Sequence, residues 1–270
     1  MKIPFLIMVI LCLGLYNGSL GAQSEQVEST DPVIKGFEIA SEMIRKDSGW
    51  IDQHVEMEMI LSNRRGESST RSLNIRRLEV ENDGDKTLTT FHYPKDIKGT
   101  SFLSYTHSLD PDDQWLYLPA LKRIKRISSA YKSGPFVGSE FAYEDMTSQE
   151  LERYTYKWLR DEFVGEREAF VIERQPAYEY SGYSRQVVWL DKIMYQPLRL
   201  DYYDRKDSLL KVLNFEGYKK YLNRFWRPDK MHMENIQTGK KTSLIMTDYK
   251  FENGFTDRDF DRNALRRNRG

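Results

Sequence analysis

Cysteine is almost absent. The 270 residues contain one, Cys12, inside an apolar N-terminal run. Lipid attachment to an exported cysteine requires a small residue just before it. Leu11 stands there instead, so no thiol-linked anchor is expected. Once the N-terminal run is removed no thiol remains, which excludes disulfides, thiolate metal sites and cysteine nucleophiles. An excess of one charge is also lacking, with 41 basic and 41 acidic residues, and this argues against a nucleic-acid partner. Long hydrophobic runs are missing too. The stretch Phe5–Leu15 breaks at Tyr16-Asn17-Gly18, well short of the roughly 20 apolar residues of a membrane span. Neither a nucleophile elbow, a phosphate-binding glycine loop nor an HExxH pair occurs. No catalytic residue, cofactor or metal is expected.

What the N-terminus does contain is an export pattern. A short basic start at Lys2 precedes the apolar run, and Gly18-Ser19-Leu20-Gly21-Ala22 supplies small residues at its exit. Residues 1–22 read as a signal peptide cleaved near Ala22, which predicts an exported, soluble product. Residues 23–30 are polar and read as a flexible segment. Residues 31–270 have a size at which all-β chains often form one domain.

Asp31-Pro32 opens a helix, because Asp accepts from free N–H groups and Pro fits the first helical position. Val33, Phe37, Ala40 and Ile44 mark its expected apolar face, and Asp47-Ser48-Gly49 its end. From Trp50 the period becomes two: Val55, Met57, Met59 and Leu61, a turn at Asn63–Gly66, then Leu73 and Ile75. A slip of phase at Arg76-Arg77 suggests a β-bulge. Further strands are expected at 86–93, 100–106, 114–118, 154–163, 169–176, 184–191, 197–203, 209–218, 225–235 and 241–251. With 17 Tyr, 13 Phe and 5 Trp, the composition suits strands. The fold class is therefore mainly β with few helices, a large antiparallel sheet that curls or closes. Residues 119–151 break the rhythm, with a helix expected over Glu140–Leu151. A connection this long inside a domain usually covers something or works.

Two His/Glu pairs, His54 with Glu56 and His232 with Glu234, share strand faces but lack an evident third ligand. The inner face of a curled sheet is expected to carry Met57, Met59, Trp115, Tyr117, Trp189, Leu198 and Leu200. Long, soft and aromatic groups of this kind suit either a packed core or a cavity for an irregular apolar ligand. The basic run Lys122, Arg123, Lys125 and Arg126 alternates with Ile124. It fits either a solvated strand face or contact with acidic headgroups or an acidic partner.

Two stretches carry a family resemblance. One is Trp115-Leu116-Tyr117-Leu118-Pro119-Ala120-Leu121-Lys122-Arg123-Ile124-Lys125-Arg126-Ile127 followed by Gly138-Ser139-Glu140-Phe141-Ala142-Tyr143-Glu144-Asp145. The other is Thr247–Phe255 with Asp259-Phe260 and Ala264-Leu265. Together they resemble the LolA-like outer-membrane lipoprotein-sorting protein family, with one departure at Glu140, where Asp is more usual. The resemblance implies a LolA/LolB-like half-open antiparallel β-barrel covered by helices. It also implies a periplasmic, non-catalytic carrier for a lipid, an acyl chain or a lipoprotein, with an inner-membrane exporter of the RND type as a partner. The alternative is an envelope interaction module that works through its surface.

Overall fold

The computed structural model describes residues 31–81 and 83–267. The signal-peptide and flexible-segment expectations lie outside the described residues. Helix α1 spans Pro32–Asp47, with the Asp31 carboxylate accepting from the Val33 N–H at 2.8 Å. Its buried face is not the expected one. Gly36, Ile39 and Ala40 are buried, while Val33 and Phe37 stay half exposed. The helix settles on this side because Gly36 lets it approach the backbone of a neighbouring strand. A Cβ at position 36 would meet the backbone of Lys157 and Trp158 and hold it off.

Among the described residues fifteen strands follow. In chain order β1–β6 are Asp52–Ser62, Ser68–Leu78, Lys86–Tyr93, Ser101–Tyr105, Asp113–Leu118 and Arg123–Ile127. Strands β7–β11 are Tyr154–Val164, Arg167–Pro176, Tyr183–Asp191, Pro197–Asp204 and Leu209–Glu216. The last four are β12 (Lys219–Tyr221), β13 (Phe225–Arg227), β14 (Lys230–Asn235) and β15 (Lys241–Phe251). Thirteen form one antiparallel sheet in the order β6-β5-β4-β3-β2-β1-β15-β14-β11-β10-β9-β8-β7. It is two meanders joined where β1 pairs with β15. The edges β6 and β7 are successive in the chain, and the sheet does not close between them. Residues 128–153, called the strap here, carry the chain from one edge to the other. The expected helix at Glu140–Leu151 is absent; short 3₁₀ turns at Tyr143–Met146 and Leu151–Arg153 replace it.

Three more expectations are corrected. The 225–235 strand divides at Pro228, which cannot donate to a ladder, into β13 and β14. The 209–218 strand ends at Glu216, before the left-handed Gly217 (φ 67°). The slip at Arg76-Arg77 is no bulge, since β2 pairs with β1 without interruption from Ser68 to Leu78. Leu73 and Ile75 face one side and Leu78 the other, because both faces of this sheet are covered.

That double cover explains the packing. The main cluster lies on the inner face, under α1 and the strap, and includes Val55, Met57, Met59, Leu73, Ile75, Phe91 and Phe102. A second cluster, Leu88, Leu103 and Tyr117, is covered on the outer face by Phe260, Ala264 and Leu265 from the C-terminal segment. A third, Ala169, Val171, Val187, Trp189 and Leu198, is covered by Tyr218 and Trp226 of the β12–β13 region. The C-terminal segment is tied down by Asp52. Its fully buried carboxylate accepts from the backbone N–H groups of Asn253, Gly254 and Phe255 at 2.8–3.0 Å.

Candidate ligand-binding face beneath the strap

Strand parity sorts the residues expected to line a cavity. Met57, Met59 and Leu200 lie in the inner cluster. Trp115 and Tyr117 belong to the outer cluster under the C-terminal segment, and Trp189 and Leu198 to the outer cluster beside the hairpin. The seven are therefore not brought together. Their neighbours of opposite parity, Leu116, Val188 and Leu190, take the inner positions. Alternation alone could not tell the faces apart, since each is apolar and covered.

The inner face runs across the sheet in paired rows. Val55 pairs with Ile75, Ile75 with Thr89, Thr89 with Phe102, and Phe102 with Leu116. On the other half Met233 pairs with Leu213, Leu213 with Leu200, Leu200 with Val188, and Val188 with Ile172. The strap fills the space above. Phe136 is fully buried, 6.0 Å from the Phe91 ring, 5.3 Å from Phe102 and 5.5 Å from Tyr143. Phe141 and Met146 enter the same cluster. With the strap in place this is a packed core. Between the strap and strands β7–β10 there remains a polar void of about 30 Å³, lined by Glu144, Arg174, Tyr178 and Gln186 among others, room for about one water. The Thr89 hydroxyl, buried among these apolar groups, has no hydrogen-bond partner.

The strap is held to the sheet by polar ties as well as by its rings. The Asp145 carboxylate accepts from Lys211 Nζ at 2.7 Å, from the Tyr183 hydroxyl at 2.8 Å and from the Ala142 N–H at 2.7 Å. Both members of the Lys211–Asp145 pair are buried, at 4% and 5% side-chain exposure. Lys211 also donates to the Glu140 carbonyl at 2.9 Å. Glu144 accepts from Gly182 N–H, the Ser181 hydroxyl and the Tyr178 hydroxyl. Burial, then the adjacent Asp145 charge, push its carboxyl above the ordinary range despite these donors. Burial, reinforced by Arg153, lowers Lys132 to about 8, with its ammonium 3.7 Å from the Tyr178 ring centre. Arg71 donates to the Val137 carbonyl at 2.5 Å, the Glu140 N–H to Thr242 Oγ1 at 3.0 Å, and Asn235 Nδ2 to Glu140 at 2.8 Å. Arg153 pairs with Asp112.

Sequence reasoning missed Lys211, Asp145 and Glu144 as the strap's anchors. The signal was the acidic pair inside the quoted Gly138–Asp145 stretch, which carries more charge than a loop with buried aromatics needs. The basic residues behave differently. Arg123, Lys125 and Arg126 lie on edge strand β6, exposed, and Lys122 precedes it in the left-handed region (φ 50°). Arg126 pairs with Asp113, while Lys122, Arg123 and Lys125 meet no carboxylate among the described residues. Leu121 and Tyr131 nearby are also exposed. As for metal ligation, His54 Nε2 lies 2.9 Å from Glu56 and His232 Nδ1 2.8 Å from Ser243 Oγ. No group of three candidate ligands occurs among the described residues. No helix among them is long and apolar enough to cross a membrane.

A family model described only as an uncharacterized protein matches residues 83–267. A solved domain from Vibrio parahaemolyticus, assigned to outer membrane lipoprotein sorting, is 53% identical, with 86% of this chain and 99% of that chain covered and a TM-score of 0.85. A DUF1329 family protein from Desulfovibrio piger is 30% identical, covering 87% and 100%, at a TM-score of 0.83. A LolA superfamily protein from Nitrosomonas europaea shares the fold at a TM-score of 0.68, with 18% identity and coverage of 84% and 97%. Among curated proteins, none matches the chain.

Proposed function

Since this chain belongs to the LolA-like outer-membrane lipoprotein-sorting protein family, we propose that it is a periplasmic, non-catalytic carrier or chaperone that takes a lipid, an acyl chain or a lipoprotein against its inner face when the strap lifts. The observation that carries this reading is an apolar face in an unclosed sheet whose lid is one connection between the two edges. Lifting the strap re-exposes Phe136, Phe141 and Met146, at roughly 1.5–3 kcal/mol each. An acyl chain that takes their place gains about 0.8 kcal/mol per buried methylene. A chain of about ten methylenes, worth roughly 8 kcal/mol, therefore offsets the exposure of all three. Opening also returns Lys211 and Asp145 to water, which removes the desolvation penalty of their burial. The exchange is near balance, as loading and release require. Signal-peptide removal near Ala22 would deliver the carrier to the periplasm.

The test is a disulfide across the strap. Glu140→Cys with Thr242→Cys places two thiols where Glu140 N–H meets Thr242. The reduced protein should bind a fluorescent fatty acid saturably and retain lipid in native mass spectrometry. The oxidised protein should do neither. Equal binding in both states, or none in either, refutes the lifting strap.

A second reading, an envelope interaction module, is favoured by the exposed cations at edge strand β6, three of which meet no carboxylate among the described residues. Here Lys122, Arg123, Lys125 and Arg126 would contact an acidic protein partner such as an RND-type exporter. Reversing their charges should then abolish recovery of that partner and leave fatty-acid binding intact.

A further inference from the structure

Away from the strap, the end of α1, the turn between β9 and β10, and hairpin β12–β13 enclose an open groove of about 380 Å³. Its walls carry Arg45, Lys46, Lys220 and Arg224 against one acid, Asp47. That acid is already taken by Arg227, at 2.6 Å. Arg45 and Lys46 belong in the last turn of a helix, where cations meet its negative end. This does not account for Lys220 and Arg224, which come from the hairpin and meet no carboxylate among the described residues. Arg224 donates instead to the Ser48 carbonyl, at 2.6 Å, and Lys46 sits 4.2 Å over the Tyr195 ring. Arg45 pairs with Glu42 at 2.6 Å and Lys46 reaches the same carboxylate at 4.0 Å, so the uncompensated charge of the rim is that of Lys220 and Arg224.

Two aliphatic tips flank this rim. Ile193, in the β9–β10 turn, is 83% exposed, and Leu222, at the tip of the hairpin, 51%. The hairpin turn is closed by Arg224 N–H to the Tyr221 carbonyl at 2.9 Å, with left-handed φ at Leu222 (47°) and Asn223 (54°). Turns of this hand favour Gly, Asn or Asp. A leucine gains nothing locally from that backbone and buries little there. Local preference and side-chain exposure both oppose it, and such conflicts mark functional positions.

We infer that this face docks on an anionic lipid bilayer, with Ile193 and Leu222 entering the headgroup boundary and Lys46, Lys220 and Arg224 meeting phosphates. Aliphatic tips within a cationic rim match the two layers of a bilayer surface, apolar below and anionic above. Docking uses neither the inner face nor the β6 edge. It stands apart from the carrier reading.

Sedimentation with vesicles tests it. The protein should bind phosphatidylethanolamine vesicles containing phosphatidylglycerol, release them at high salt, and ignore phosphatidylcholine vesicles. Each cation near an anionic surface is worth about fivefold in binding, so Lys220→Gln with Arg224→Gln should weaken binding roughly 30-fold. Leu222→Asn suits the turn better, so it should weaken vesicle binding while thermal stability holds or rises. The inference falls if these variants bind as the parent does, if the parent binds no anionic vesicle, or if neutralising Lys122, Arg123 and Lys125 removes the binding instead. Fatty-acid uptake, measured on the same samples, reports the carrier reading separately. A parent protein that takes up fatty acid but binds no anionic vesicle overturns docking alone.

Discussion

Replacing Gly36 by alanine sets two well-known effects against each other, and the sign of the result decides which governs α1. On helix propensity alone the change should stabilise by about 1 kcal/mol. The close approach to β7 predicts the opposite. A Cβ at Gly36 would stand 2.6 Å from the Trp158 nitrogen, 2.7 Å from the Lys157 carbonyl carbon and 2.8 Å from the Lys157 Cα. All three are backbone atoms and cannot rotate aside. Ordinary contact begins near 3.5 Å, so α1 must retreat by most of an ångström. Overpacking of this kind costs about 1–3 kcal/mol, and retreat also thins the contacts of Ile39 and Ala40. The net expectation is a loss of about 1–2 kcal/mol, or a drop in Tm of roughly 2–8 °C at this chain length. Urea unfolding followed by tryptophan fluorescence measures it directly. A fluorescent fatty acid should also load faster, because α1 is part of the inner face's cover. A more stable Gly36→Ala protein would refute the close-approach account.

Three further expectations concern the sheet and its covers. Lys211→Met leaves Asp145 buried without its cation, a type of change that costs about 3–5 kcal/mol. Chemical denaturation should report it, and proteolysis should cut the strap first, within 128–153. Thr89→Val removes the unpartnered hydroxyl inside the inner cluster and should raise stability by about 1 kcal/mol; a fall in calorimetric Tm would mean that the hydroxyl finds a partner. Burial alone would raise the Asp52 carboxyl, but the donors from Asn253, Gly254 and Phe255 outweigh it and hold the group below its ordinary value of 3.8. A lowered folded-state value means that its contribution is present above pH 3.8 and is lost as pH falls through the folded value. Asp52→Asn should therefore flatten that acid limb in pH-dependent unfolding and loosen the C-terminal segment to proteolysis.

Much of the architecture could be read from local chemistry. Asp31-Pro32 set the start of α1, and the period of two gave most strands of the sheet. The quoted C-terminal stretch has a structural meaning that its residues alone did not disclose. Asn253-Gly254-Phe255 present their N–H groups to Asp52, some 200 positions earlier in the chain. The other quoted stretch supplies edge strand β6 and the strap's anchors at Glu144 and Asp145. Both stretches thus help to hold a cover on the sheet, the C-terminal one through its backbone N–H groups and the other through the Glu144 and Asp145 carboxylates.

Face assignment was beyond the sequence. Parity along a strand says which residues share a side, but a sheet covered on both sides is apolar at both parities. Trp115, Tyr117, Trp189 and Leu198 consequently went to outer clusters, while Met57, Met59 and Leu200 stayed inside. The tilt of α1 escaped for a related reason. A glycine counts as neutral in a hydrophobic pattern, yet Gly36 alone permits contact with a strand backbone. The sequence by itself determined the lack of any thiol after Cys12, the balanced charge, the first helix and the succession of strands. These depend on residue type and spacing. Only the tertiary structure decided that the inner face is closed by the strap, and that Lys211 meets Asp145. Those outcomes depend on which strands become neighbours, and a one-dimensional period carries no record of pairing.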